Sequence, residues 1–245
     1  MQIAALAVTA VLCAAVIRRG APEAALVLVL AAGCWMLMLA AGALGSVVEA
    51  IGLDLHAQGY ALCILDSGAD HADLTGEYAA ITNELKAICR HFGKEFLREV
   101  PEADFIRELP ALRQEAGDRA VLRAFHVYAE NRRAKAEADA LRGGDFDGFL
   151  TLVRESGRSS AMYLQNVVPT GQTERQELML TIALCENLLG GRGAVRVHGG
   201  GFGGTAQAFV PLDLLDSFKA GTEAVLGSGS CHVVTIRPVG GVAIK

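Results

Sequence analysis

The 245 residues predict an α+β domain preceded by a two-helix membrane hairpin. Three observations carry that expectation. Residues 1–53 hold only Arg18, Arg19, Glu23 and Glu49 as charges; helical periodicity recurs between about 75 and 189; and period-two alternation takes over after residue 193. With 52% apolar residues the chain has ample material for a core. The net charge of −5 resides wholly in residues 54–245, so two kinds of chain are joined near residue 53.

The first kind reads as membrane. "MQIAALAVTAVLCAAVI" gives 17 uncharged residues, "RRGAPE" interrupts, and "AALVLVLAAGCWMLMLAAGALGSVV" gives 25 more. As helices they measure roughly 26 and 37 Å against a hydrocarbon core of about 30 Å, so the second spans and the first is borderline. A secretory signal is the competing reading of the first run, but it lacks a basic start and an A-x-A-like end. A buried core helix fits one such run better than two. Arg18 and Arg19, the only basic residues before Lys86, put the turn on the cytoplasmic side and both ends outside.

The second kind begins near Asp54. "YALCILD" at 60–66 is an apolar β-prone run closed by a turn. Tyr78, Ile81, Leu85, Ile88, Cys89 and Phe92 recur at three- and four-residue steps until Gly93, the mark of an amphipathic helix. Val121, Leu122, Phe125, Tyr128 and Ala129 repeat the pattern in a helix closed by Gly143 and Gly144, and further helices are expected at 145–157 and 176–189. "AVRVHG", "TAQAFVP" and "CHVVTIRPVG" then read as strands, with a helix over "LLDSFKAGTEAVLG" between the last two. Helices and strands segregated in this way favour α+β over a doubly wound parallel sheet.

"RVHGGGFGGTAQAFVP" puts five glycines around one phenylalanine between two strands. Such a backbone can take positive φ, approach a ligand closely and turn bare N–H groups toward an anion. Neither a dinucleotide fingerprint nor a P-loop has this spacing, and a tight glycine-rich hairpin is the alternative.

The flanking residues add a resemblance. "GAVRVHGGGFGGTAQAFVP" resembles the third signature motif of the galactokinases, within the GHMP small-molecule kinases. "GYALCILDSGADHADLTGEYAAI", "RAFHVYAENRRA" and "GDFDGFLTLVRESGRSSAMYLQNV" resemble further segments of that family, in the family's order. The resemblance implies a GHMP-kinase C-terminal-type α/β sandwich over 54–245, ATP and Mg2+ as cofactors, and galactose as acceptor. It also implies that Tyr78, Gly199, Gly200 and Gly201 bind the sugar, with Gly201, Phe202, Gly203 and Gly204 beside the transferred phosphoryl. A core aromatic remains the alternative for Tyr78, and a strand-end histidine with a local partner is the better reading of His198.

The sequence also departs from the family. The sugar-gripping "R.E..G.H.D" segment, the "GLSSSA"-type phosphate loop and the "MDQ"-type aspartate have no counterpart among the 245 residues. No catalytic residue is therefore assigned, and the chain is expected to be nearly inert alone, with an orphaned face open to self-association. The first fifty residues resemble the stage III sporulation protein AD family, whose alternative implication is a membrane protein with non-catalytic cargo. Residues 1–48 imply a lipid bilayer as partner. A cytoplasmic location follows only if that segment is foreign to the native chain.

Remaining clusters carry less. Six scattered cysteines without a C-x-x-C pair read as buried free thiols, with neither a zinc site nor a disulfide framework. Asp66, Asp70, His71 and Asp73 in "DSGADHAD" offer metal-ligand types but read as turn and cap residues, so no metal ligand is assigned. "ENRRAKAEADALR" reads as a solvated helix face, and the acidic balance speaks against nucleic acid.

Overall fold

Alternating side chains build the sheet first. The computed structural model describes residues 51–69 and 74–235. Strand β1 (Tyr60–Asp66) buries Cys63 and Leu65 on one face and turns Tyr60 and Leu62 to the other. It pairs with β3 (Thr205–Pro211) and with β4 (Cys231–Val234), while β2 (Ala194–Val197) pairs with β3. The order is β2-β3-β1-β4 and every pairing is antiparallel.

Each face of the sheet takes a helical layer. Cys63, Leu65, Val195, Val197, Ala206, Ala208 and Val210 pack against Leu178, Cys185 and Leu189 of one helix and Phe218 of another. These helices are α6 (Glu177–Leu189) and α7 (Leu215–Leu226). On the opposite face Ala194, Phe209, Tyr60 and Leu62 meet Phe146, Phe149, Leu150 and Val153 of α5 (Phe146–Ser159). Asp145 starts α5 by accepting the Gly148 N–H at 2.9 Å. The result is an α/β sandwich.

A third cluster joins helices alone. α1 (Thr75–His91), α2 (Glu102–Arg107), α3 (Leu109–Glu115) and α4 (Asp118–Arg142) bury Ile88, Phe105, Leu112, Val121 and Tyr128 together. Burying Phe105 completely stabilises this cluster by roughly 1.5–3 kcal/mol.

Several expectations change. The short helices α2 and α3 between 94 and 118 were not expected. Tyr78 is 39% exposed rather than turned into the core. Part of "ENRRAKAEADALR" is not solvated, because the Arg133 side chain is only 10% exposed and pairs with Glu130. The hairpin over residues 1–48 and its sporulation resemblance lie outside the described residues, as do Asp70, His71 and Asp73. Among the described residues no helix is long and apolar enough to cross a membrane.

Candidate functional site

The hairpin between β2 and β3 presents the glycines. His198 closes the ladder, its N–H donating to the Thr205 carbonyl at 2.9 Å and its Nδ1 lying 3.0 Å from Thr205 Oγ1. Histidine here has a local partner. Beyond it Gly199 and Gly200 are exposed, whereas Gly201 to Gly204 are buried.

Three neighbours hold the buried half. Tyr78 Oη donates to the Gly201 carbonyl at 2.8 Å, and its ring meets Phe202 edge-on with centroids 5.4 Å apart. Asn166 grips twice: Nδ2 donates to the Gly200 carbonyl at 3.1 Å, and its own carbonyl accepts the Phe202 N–H. Ser67, just after β1, gives both its N–H and its Oγ to the Gly204 carbonyl, at 3.0 and 2.6 Å. The Gly203 N–H closes a three-residue turn onto the Gly201 carbonyl, with Phe202 at φ +62°, a region few bulky residues occupy.

Glycine is required at particular positions. At Gly201 φ is +85° and a Cβ would run into the Asn166 carbonyl, while at Gly200 it would stand 2.8 Å from Tyr78 Cε1. The loop therefore lies directly on its clamps. Among the described residues, the exposed amides of Gly199 and Gly200 donate to no protein acceptor.

Behind the loop, α1 is fixed to α4 and to segment 164–170. Glu84 receives Arg123 Nη1 at 2.8 Å on one oxygen and Arg119 Nε at 2.9 Å on the other. Arg119 Nη1 donates to Thr170 Oγ1 at 3.0 Å, and the Thr170 N–H donates to Glu77 at 2.9 Å. Burial of Arg123 lowers its pKa from the usual guanidinium range, opposed by Glu84.

The structure thus brings Tyr78 against Gly200, Gly201 and Phe202 of the run, and gives Gly199, Gly203 and Gly204 no contact with it. Sequence reasoning missed Asn166 and Ser67 because both act through short polar groups on loops, where no period marks them. Asp66 serves a turn, its Oδ1 accepting the Gly68 N–H at 3.0 Å. Cys63, Cys89, Cys185 and Cys231 are buried and free. Burial pushes the Cys185 thiol up to about 12, far from a reactive thiolate.

No protein-family model matches the chain. It is 30% identical over 162 residues to a galactokinase of Glaesserella parasuis serovar 5, a match covering 66% of this chain and 40% of that protein. A galactokinase of Actinobacillus pleuropneumoniae serotype 5b is 31% identical over 153 residues, covering 62% and 38% respectively. In three dimensions the chain resembles the Lactococcus lactis galactokinase solved in complex with galactose. The TM-score is 0.56 at 25% identity, over 75% of this chain and 46% of that one. The domain is galactokinase-like in sequence and in fold. The chain spans about 40% of the length of the curated relatives it matches.

Proposed function

We propose that residues 54–245 are the sugar-side portion of a galactokinase-type phosphotransferase. In this reading Gly199, Gly200 and Gly201 with Tyr78 form one wall of a galactose site. Gly201 to Gly204 lie toward the phosphoryl group that Mg-ATP delivers to the anomeric hydroxyl. The observation carrying it is the 2.8 Å hydrogen bond from Tyr78 Oη to the Gly201 carbonyl, which joins the two features the family resemblance singles out. Sugar hydroxyls need donors and acceptors side by side. The exposed amides at 199 and 200 supply donors, and Tyr78 Oη, already donating, keeps lone pairs to accept.

For Mg-ATP the fit is different. Among the described residues no group of three His, Cys, Asp or Glu side chains converges on a site for the ion. His198 Nδ1 is engaged with Thr205 Oγ1, and neither Tyr78 nor Asn166 is a base suited to an anomeric hydroxyl. The chain alone accordingly binds sugar without turnover. Calorimetric titration with galactose, with glucose as control, tests the first half. Absence of galactose binding at millimolar concentration overturns it. Galactose 1-phosphate formed by the purified chain from Mg-ATP overturns the second half. Residues 1–48 are proposed separately to hold the chain at a bilayer, and its release by alkaline carbonate washing counts against that.

A further inference from the structure

Segment 164–170 contains a costly turn with no glycine to ease it. α5 runs on into a π-helical turn, Ser160–Leu164, which ends at Gln165 with φ 55° and ψ 48°. A left-handed L-residue is strained and persists only where its surroundings hold it. One hold is local: the Gln165 N–H donates to the Ser160 carbonyl at 2.8 Å.

The other hold comes from α4. Arg123 Nε donates to the Leu164 carbonyl at 3.0 Å, immediately before the kink, while Nη1 of the same guanidinium pairs with Glu84 of α1. The Arg123 side chain is 1% exposed. Burying such a charge is costly unless its donors are met, and a bundle of apolar helices has no need of one for packing. Here the fork matches two acceptors, one on α1, which carries Tyr78, and one in the segment that carries Asn166. Immediately after the kink stands Asn166, with its two hydrogen bonds to the loop.

We propose that Arg123 is a positioning residue, which holds the Leu164 carbonyl and Glu84 at once and so locks the Gln165 kink that sets Asn166 against the glycine loop. It acts on the loop chiefly through Asn166, and secondarily through α1, which carries both Glu84 and Tyr78. Loop order is the direct consequence and does not depend on the identity of the ligand. Any effect on sugar affinity rests on the function proposed above.

Amide hydrogen exchange on the full chain tests this. A lysine at 123 keeps the charge but cannot reach both acceptors, so Arg123→Lys is expected to speed exchange of the Phe202 amide at least tenfold while the Ala208 amide in β3 is unchanged. Glycine adopts the left-handed conformation freely, so adding Gln165→Gly to Arg123→Lys should restore most of the lost protection. Protection at Phe202 that is unchanged, that falls in step with Ala208, or that Gln165→Gly fails to restore overturns the proposal. Glu84→Gln, expected to give the same local pattern at smaller amplitude, decides the matter if Arg123→Lys does not fold. Galactose affinity is read alongside: if the wild-type chain binds no galactose, the proposed function fails while the exchange pattern still decides for or against the lock.

Discussion

In its second turn α4 buries a guanidinium satisfied by Glu84 and by the Leu164 carbonyl; about four turns later it buries a carboxylate oxygen that has no hydrogen-bond partner among the described residues. That second seam faces α5 and β2. Glu130 takes the Ser156 hydroxyl at 2.5 Å and pairs with Arg133 and Arg196, and His126 Nδ1 lies 2.9 Å from Ser159 Oγ. Glu137 Oε1 is left over. Burial pushes the Glu137 carboxyl up and the His126 imidazole down, each toward its neutral form. The difference teaches that charge beneath the glycine loop is organised around particular backbone positions, whereas charge at the far seam fills space between helix and strand.

Breaking the first seam has the largest expected effect. Arg123→Met leaves the Leu164 carbonyl without its donor and Glu84 with Arg119 alone, and should cost about 3–5 kcal/mol. The reading is a lower denaturant midpoint at unchanged slope. A loss below about 1 kcal/mol would erase the contrast between the two halves. Gly201→Ala comes next. It combines strain at φ +85° with a collision against the Asn166 carbonyl, for about 2–4 kcal/mol, and the Phe202 amide should lose its protection first.

The far seam should respond with the opposite sign. Glu137→Leu removes the carboxylate whose Oε1 has no hydrogen-bond partner among the described residues, while Arg133 and Arg196 keep Glu130, and should stabilise the fold by about 1–2 kcal/mol near pH 8. The folded state holds the Glu137 proton more tightly than the unfolded chain does, so the wild type loses stability as pH rises through the raised value. The gain from substitution should therefore shrink in acid. His126 titrates the other way. It faces Glu130, Arg133 and Arg196 and is held neutral, so below about pH 6.5 the unfolded chain binds the proton first and stability falls toward the depressed folded value. His126→Asn should flatten the decline between pH 7 and 5.5 in the unfolding midpoint. An unchanged profile would mean that the imidazole is protonated in place.

Local pattern explains what was readable beforehand. β1 stands at 60–66 where "YALCILD" put it, and α6 at 177–189 within the expected span, because each buries residues at its own period. α2 and α3 escaped because six and seven residues complete fewer than two turns, too few for a period to show. Arg123 could not be singled out either. Its burial depends on Glu84 and Leu164, 39 and 41 residues away along the chain. The glycine run was conspicuous, yet Asn166 and Ser67, which give it shape, carry no spacing that links them to it. Tyr78 occurs at the step of a core aromatic and is instead partly exposed, because the loop covers its edge and leaves the rest open.

Tyr78→Phe gives the smallest and most selective effect. Its hydroxyl donates to a carbonyl that also accepts the Gly203 N–H, so removing it leaves that acceptor satisfied and should cost only about 0.5–1.5 kcal/mol. The edge-on contact with Phe202 survives, so the loop should keep its shape and Phe202 its slow exchange. Galactose binding, on the function proposed above, should weaken by more than the stability loss explains, because the acceptor for a sugar hydroxyl disappears with the same atom. Equal affinity in Tyr78→Phe and wild type would return Tyr78 to a purely architectural part. It would leave the exposed amides at 199 and 200 to carry any recognition that the loop performs.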